Sequence, residues 1–80
     1  MPLIGDTKLE ILEKLYEEPR NGYWLSKKLK ISSGYIYQHI EDLEEAGMIE
    51  LQEEEQEGRQ QKIYSITENG EHLLKAFDKI

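Results

Sequence analysis

The sequence contains no cysteine, so neither a disulfide nor a thiolate metal site can hold its fold. It has no apolar run of membrane-spanning length, and no membrane partner is expected. Met1 to Gly5 is followed at once by a charged, helix-patterned stretch rather than the apolar core of a signal peptide. The expected compartment is the cytoplasm. There are only two histidines, His39 and His72, on different predicted helices and with no partner at ligand spacing, so no metal is expected. The chain has no HExxH, no glycine-rich phosphate loop with its lysine and no Ser or Cys nucleophile signature. Neither catalysis nor a cofactor is expected. Bases are scarce too: 10 Lys and Arg against 17 Asp and Glu give a net charge of −7, which by itself argues against a polyanionic partner. Eighty residues make one small domain, 1–80, with a thin core that a second subunit would help to stabilise.

The distribution of charge points the other way from its total. Pro19 to Ile40 holds four bases (Arg20, Lys27, Lys28, Lys30) and no acid, whereas Glu41 to Glu57 holds nine acids and no base. A local field decides whether a phosphate backbone can approach.

What is present reads as helices, then a hairpin, then a helix. Thr7 with Glu10 makes a capping box for a first helix with Leu9, Leu12, Leu15 and Tyr16 as its stripe, broadened by Ile11. Pro19 ends it, and Arg20-Asn21-Gly22 is turn chemistry. A short second helix covers about Tyr23 to Leu29, and a tight turn Lys30-Ile31-Ser32 leads into a third, about Ser33 to Ala46. Ser32 can cap that helix and Ile31 can staple onto Ile36. Ile36, Ile40 and Leu43 form its apolar stripe, and Gly47 closes it in a left-handed cap with Met48 packing back on Leu43. The period then becomes two. Ile49 and Leu51, then Tyr64 and Ile66, read as a hairpin around the polar loop Glu53–Gln61, with the glutamate run at its tip. Thr67 caps a last helix, about 68–79, with Leu73, Phe77 and Ile80 at i, i+4 and i+7 and Leu74 widening the stripe. Two helices joined by a tight turn form a helix-turn-helix, about 23–46, whose second helix can lie in a DNA major groove. The hairpin, about 48–66, is then a wing. The fold class expected is α+β.

Five motifs in this order resemble those of the PadR family of winged helix-turn-helix transcription regulators. They are Pro19-Arg20-Asn21-Gly22-Tyr23, the Leu25 to Leu29 pair, Ser32-Ser33-Gly34-Tyr35-Ile36-Tyr37, Leu43-Glu44-Glu45-Ala46-Gly47-Met48-Ile49 and Tyr64-Ser65-Ile66-Thr67-Glu68-Asn69-Gly70. MarR-like and ArsR-like regulators share the last two. The resemblance implies a sequence-specific regulator of transcription, with repression the expected direction, acting as a homodimer on double-stranded DNA. The effector is left unspecified. Two features depart from the family pattern: Glu41 and Asp42 stand where bases are common, and the wing is glutamate-rich with basic character only at Arg59 and Lys62.

The DNA-facing candidates are Ser32, Ser33, Tyr35, Tyr37, Gln38 and His39 on the third helix, with Lys27, Lys28 and Lys30 on phosphate and Arg59 and Lys62 in the wing. Tyr37, next to the Ile36 stripe, is the tyrosine placed to pack partly beneath the helix. Gly34 admits either close approach to DNA or tight packing against the second helix. Leu73, Leu74, Phe77 and Ile80 are the candidate dimer contact. A second reading, a protein-interaction module whose acidic wing binds a basic partner, rests on Glu41-Asp42 and the glutamate run.

Overall fold

Four helices surround one face of a small antiparallel sheet in the computed structural model, which describes residues 5–55 and 61–80. In chain order the elements are α1 (Asp6–Glu17), β1 (Arg20–Asn21), α2 (Gly22–Leu29), α3 (Ser33–Glu45), β2 (Ile49–Glu55), β3 (Gln61–Ile66) and α4 (Glu68–Ala76). The strand order is β1-β3-β2. The class is α+β, a helix-turn-helix followed by a hairpin wing.

The apolar stripes read from the sequence meet in one core. Leu9, Ile11, Leu12 and Leu15 of α1, Leu25 of α2, Ile36, Ile40 and Leu43 of α3, Ile49, Tyr64 and Leu74 are its buried members. Ile11 is fully buried while Tyr16 stays half exposed, so α1 is central and packs on two adjacent faces. The capping box at Thr7 does not form. The helix starts two residues earlier, with Gly5 at the N-cap and Asp6 placing its acid on the positive end of the helix dipole.

Arg20-Asn21 is more than a turn. The two residues pair with β3, Arg20 opposite Tyr64 and Asn21 opposite Ile63, before Asn21 caps α2 through its side chain. A two-residue strand has no periodicity to read; only its partner creates it.

The end of α3 forms as expected. Gly47 adopts φ 75°. Its N–H donates to the Glu44 carbonyl at 3.0 Å, and the Met48 N–H donates to Leu43 at 2.9 Å. This is the paired bonding of a glycine-closed helix, which only a left-handed residue permits. The Ser32 hydroxyl makes no capping bond, although Ser32 occupies the N-cap position.

The hairpin is longer than its hydrophobic pattern. Pairing runs from Ile49 opposite Ile66 out to Glu55 opposite Gln61, with an irregularity between Leu51 and Glu53. Glu53 to Glu55 therefore belong to a strand and not to a loop tip. Leu51 is exposed although its ladder partner Tyr64 is buried, so the core takes up the β3 side of this pair and leaves the β2 side to solvent.

The Thr67 hydroxyl accepts from the Gly70 N–H at 3.3 Å and donates to the Gly47 carbonyl at 2.6 Å, joining α4 to the end of α3. Gly70 packs so closely that a Cβ there would collide with the Met48 carbonyl oxygen and the Ile66 side chain. The helix ends at Ala76, not near residue 79. Asp78 takes φ 58°, its N–H donates to Lys75 at 3.0 Å, and that of Lys79 donates to Leu74 at 2.8 Å. Ile80 thus lies outside the helix.

Candidate nucleic-acid interface

The α2–turn–α3 unit is shaped by local bonds. The Asn21 carboxamide oxygen accepts from the Trp24 N–H at 2.6 Å, setting the start of α2. The Ser26 hydroxyl donates to the Tyr23 carbonyl at 2.8 Å, satisfying a buried polar group. Lys30 adopts the left-handed region at φ 58°, and the Ile31 N–H returns to the Ser26 carbonyl at 3.0 Å. This reverses the chain within three residues and sends α3 across α2.

That reversal brings the predicted basic and hydroxyl residues onto one surface. An open groove of about 420 Å³ is lined by Tyr23, Ser26, Lys27, Lys30, Ile31, Ser32 and Ser33. A second, of about 340 Å³, is lined by Ser32, Gly34, Tyr35 and Gln38. Ser32 belongs to both, and no carboxylate lines either. Lys28 is exposed on α2 beyond the first groove. Tyr35, 69% exposed, stands furthest out on the face. Tyr23 was not among the candidates, yet it is exposed and its ring lies 5.3 Å from the Lys27 ammonium. The i, i+4 spacing to Lys27 was its only sequence signal.

Other residues distribute differently. Arg20 is not part of the basic surface: its guanidinium stacks 4.1 Å from the Trp24 ring centre and contacts Glu18 at 3.1 Å. Tyr37 remains half exposed, but its ring lies over Gly22, where a Cβ would come within 2.5 Å of Cε1. Close helix packing is therefore the business of Gly22. A Cβ at Gly34 would meet nothing within 4 Å, which removes the packing explanation for that glycine.

His39 turns toward α1 and not out with the tyrosines. The Lys8 ammonium donates to its Nδ1 at 3.0 Å. Partial burial, then the Lys8 charge, hold the imidazole below its ordinary value of 6.5, with Asp42 opposing. Lys8 also pairs with Asp42 at 3.3 Å, and the Gln38 amide donates to the same carboxylate at 3.2 Å. These hydrogen bonds, Lys8 first and then Gln38, hold Asp42 below the usual carboxylate range. Asp42 stood out only as an acid where bases are common, and Lys8 not at all; their pairing had no local signal, because they are far apart in sequence.

In the wing, Lys62 is exposed on β3, opposite Glu54 in the ladder. Arg59 lies outside the described residues. Of the predicted dimer residues, Leu74 is fully buried in the chain's own core and is not available to a partner. Leu73 is partly buried against that core, while Phe77 and Ile80 are exposed. Among the described residues no group of three or more His, Cys, Asp or Glu is arranged to hold a metal ion, and no helix is long and apolar enough to cross a membrane.

A helix-turn-helix whose two outer grooves are lined by no carboxylate, followed by a two-stranded wing, defines a winged-helix regulator of transcription. Residues 11–76 match the transcriptional regulator PadR-like family, and the chain belongs to that family. It is similar, at 33% identity over 66 residues, to an uncharacterized HTH-type transcriptional regulator of Methanocaldococcus jannaschii, covering 82% of this chain and 70% of that protein. A structure described as a transcriptional regulator of Thermoplasma acidophilum superposes with a TM-score of 0.78 at 28% identity, over 88% of this chain and 72% of that one. A variant of ZitR of Lactococcus lactis shares the fold, with a TM-score of 0.84 at 22% identity over 98% of this chain. The chain spans 53% of ZitR, about half its length. The protein is a transcriptional regulator and not an enzyme.

Proposed function

We propose that this chain binds double-stranded DNA sequence-specifically as a homodimer and represses transcription, with α3 in the major groove. Lys27, Lys28 and Lys30 contact phosphate and set register, Ser32, Ser33 and Tyr35 donate to the backbone, and Gln38 reads a base edge. The observation that carries this reading is the pair of grooves sharing Ser32, basic and hydroxyl-rich and lined by no carboxylate. The net charge of −7 is no obstacle when the surface meeting phosphate is locally positive. All 80 residues act as one DNA-binding domain, and the site of action is the cytoplasm. Lys62 sits at the side of the groove with the wing. Phe77 and Ile80 offer exposed apolar surface for the second subunit, with Leu73 beneath them. Two α3 helices on one DNA face call for a pseudo-palindromic operator.

The test is titration into random-sequence duplex at about 50 and then about 200 mM salt, followed by fluorescence anisotropy, beside a Lys27/Lys28/Lys30→Glu variant. Six lysines per dimer predict a log–log salt slope of about −5, from roughly −0.9 per phosphate contact. A slope near zero, or a variant that binds as well as the parent, overturns the reading in favour of a protein-interaction module.

A further inference from the structure

We infer that Lys8 and Asp42 are positioning residues for base readout: the carboxylate, anchored by a lysine from α1, fixes the edge that the Gln38 amide presents. The inference rests on the reading that α3 lies in the major groove. An ionised carboxylate can only accept hydrogen bonds, so it must take the NH₂ end of the amide. Gln38 Nε2 donates to Asp42 Oδ1 at 3.2 Å. One N–H is thereby held, and Oε1 with the second N–H remains, the acceptor–donor pair that the N6/N7 edge of adenine requires. An unheld glutamine samples both amide orientations and loses that freedom on binding.

Lys8 completes the arrangement from the other side. Its ammonium lies 3.3 Å from Asp42 Oδ2, leaving Oδ1 to Gln38, and 3.0 Å from His39 Nδ1. The lysine thus holds the carboxylate and offsets a negative charge that would otherwise face phosphate. This gives a purpose to an acid that bonds a glutamine lining a groove free of carboxylates. Glu41, the adjacent acid, has no such contact among the ion pairs and side-chain hydrogen bonds of the described residues.

The experiment is selection of duplexes from a random library by the full chain, as wild type, Gln38→Ala, Asp42→Asn, Lys8→Met and Lys8→Arg, each checked by thermal melting. An asparagine can donate to Oε1 as well as accept, so it no longer fixes the amide. Wild type is expected to enrich an A·T pair at one position of each half-site, and Gln38→Ala to lose it. Asp42→Asn should cut discrimination at that position about fivefold or more, the lower end of a bidentate contact, with other positions unchanged. Lys8→Met should do the same and also weaken binding to every sequence, whereas Lys8→Arg retains the preference. If Gln38→Ala loses the base but Asp42→Asn and Lys8→Met keep it, the positioning role is overturned and the groove reading stands. If Gln38→Ala keeps it, the base-reading role of Gln38 fails and the inference falls with it.

Discussion

Tyr37 lies directly over Gly22, so that any side chain at position 22 would meet its ring: a Cβ would stand 2.5 Å from Cε1 and 2.7 Å from Cζ. The contact crosses from α3 to the first residue of α2 and replaces the interhelical role that Gly34 had been a candidate for. Gly22→Ala should displace a half-exposed ring, not backbone, and so cost only about 1 kcal/mol, the low end of overpacking. Combining it with Tyr37→Leu should recover most of that loss in a double-mutant cycle by urea denaturation. Independent, additive costs would show that the ring does not bear on Gly22.

Gly70→Ala is a different case, because the obstacle is the Met48 carbonyl and the buried side of Ile66. Backbone cannot yield as a ring can. The expected loss is about 3 kcal/mol, at the upper end of overpacking. At Gly34 the same change meets open space, so stability should rise by about 0.5 kcal/mol. If DNA affinity nonetheless falls in Gly34→Ala, close approach of the backbone to DNA is the reason for the glycine.

Leu74 in α4 and Phe77 at its C-cap lie three residues apart and should respond oppositely. Leu74→Ala opens a cavity in the core and should cost about 2–5 kcal/mol, independent of protein concentration. Phe77, with Leu73, Met48, Leu43 and Ala46, lines a largely apolar groove of about 430 Å³ that reaches the surface and is also lined by Lys8 and Asp42. Phe77→Asp should leave the protomer folded and shift sedimentation toward monomer at micromolar concentration. An unchanged sedimentation profile would sink the α4 dimer contact.

Acid should destabilise the fold in two stages. His39 has a folded value below its ordinary 6.5, so the unfolded chain binds the proton more tightly. Stability is therefore full above that value and declines as pH falls through 6.5 and on through the lower folded value. Asp42, held below its ordinary 3.8, has the same sign at lower pH: its contribution is lost as pH falls through 3.8 and below. Urea midpoints between pH 7.5 and pH 5 should fall less in His39→Gln than in the parent. Equal falls would show that burial and the Lys8 charge together do not lower the proton affinity of His39 in the fold.

Much of the fold was readable because helices and core obey local rules. The stripes Leu9-Leu12-Leu15 and Ile36-Ile40-Leu43, the Gly47 closure and the Thr67 cap each follow from spacing or one residue's conformational preference. The readings that changed were those where a partner decides. Thr7 has the right residue three before Glu10, but the helix begins earlier. Arg20-Asn21 becomes a strand because β3 offers an edge, and Glu53 to Glu55 become strand because Gln61 to Ile63 face them. Leu74 shares its stripe with Leu73 and Phe77, and only the placement of α4 against α1 turns it inward.

The sequence by itself determined the helix-turn-helix order, the basic segment free of acids and the closing caps, because each depends on residues within a turn or two of one another. Tertiary structure alone decided which charges meet. It stacks Arg20 on Trp24 and away from the grooves, and it brings Lys8 to an aspartate 34 positions along the chain. Charge pairing acts through a few ångströms of space and is blind to separation along the chain, so no local pattern could announce it.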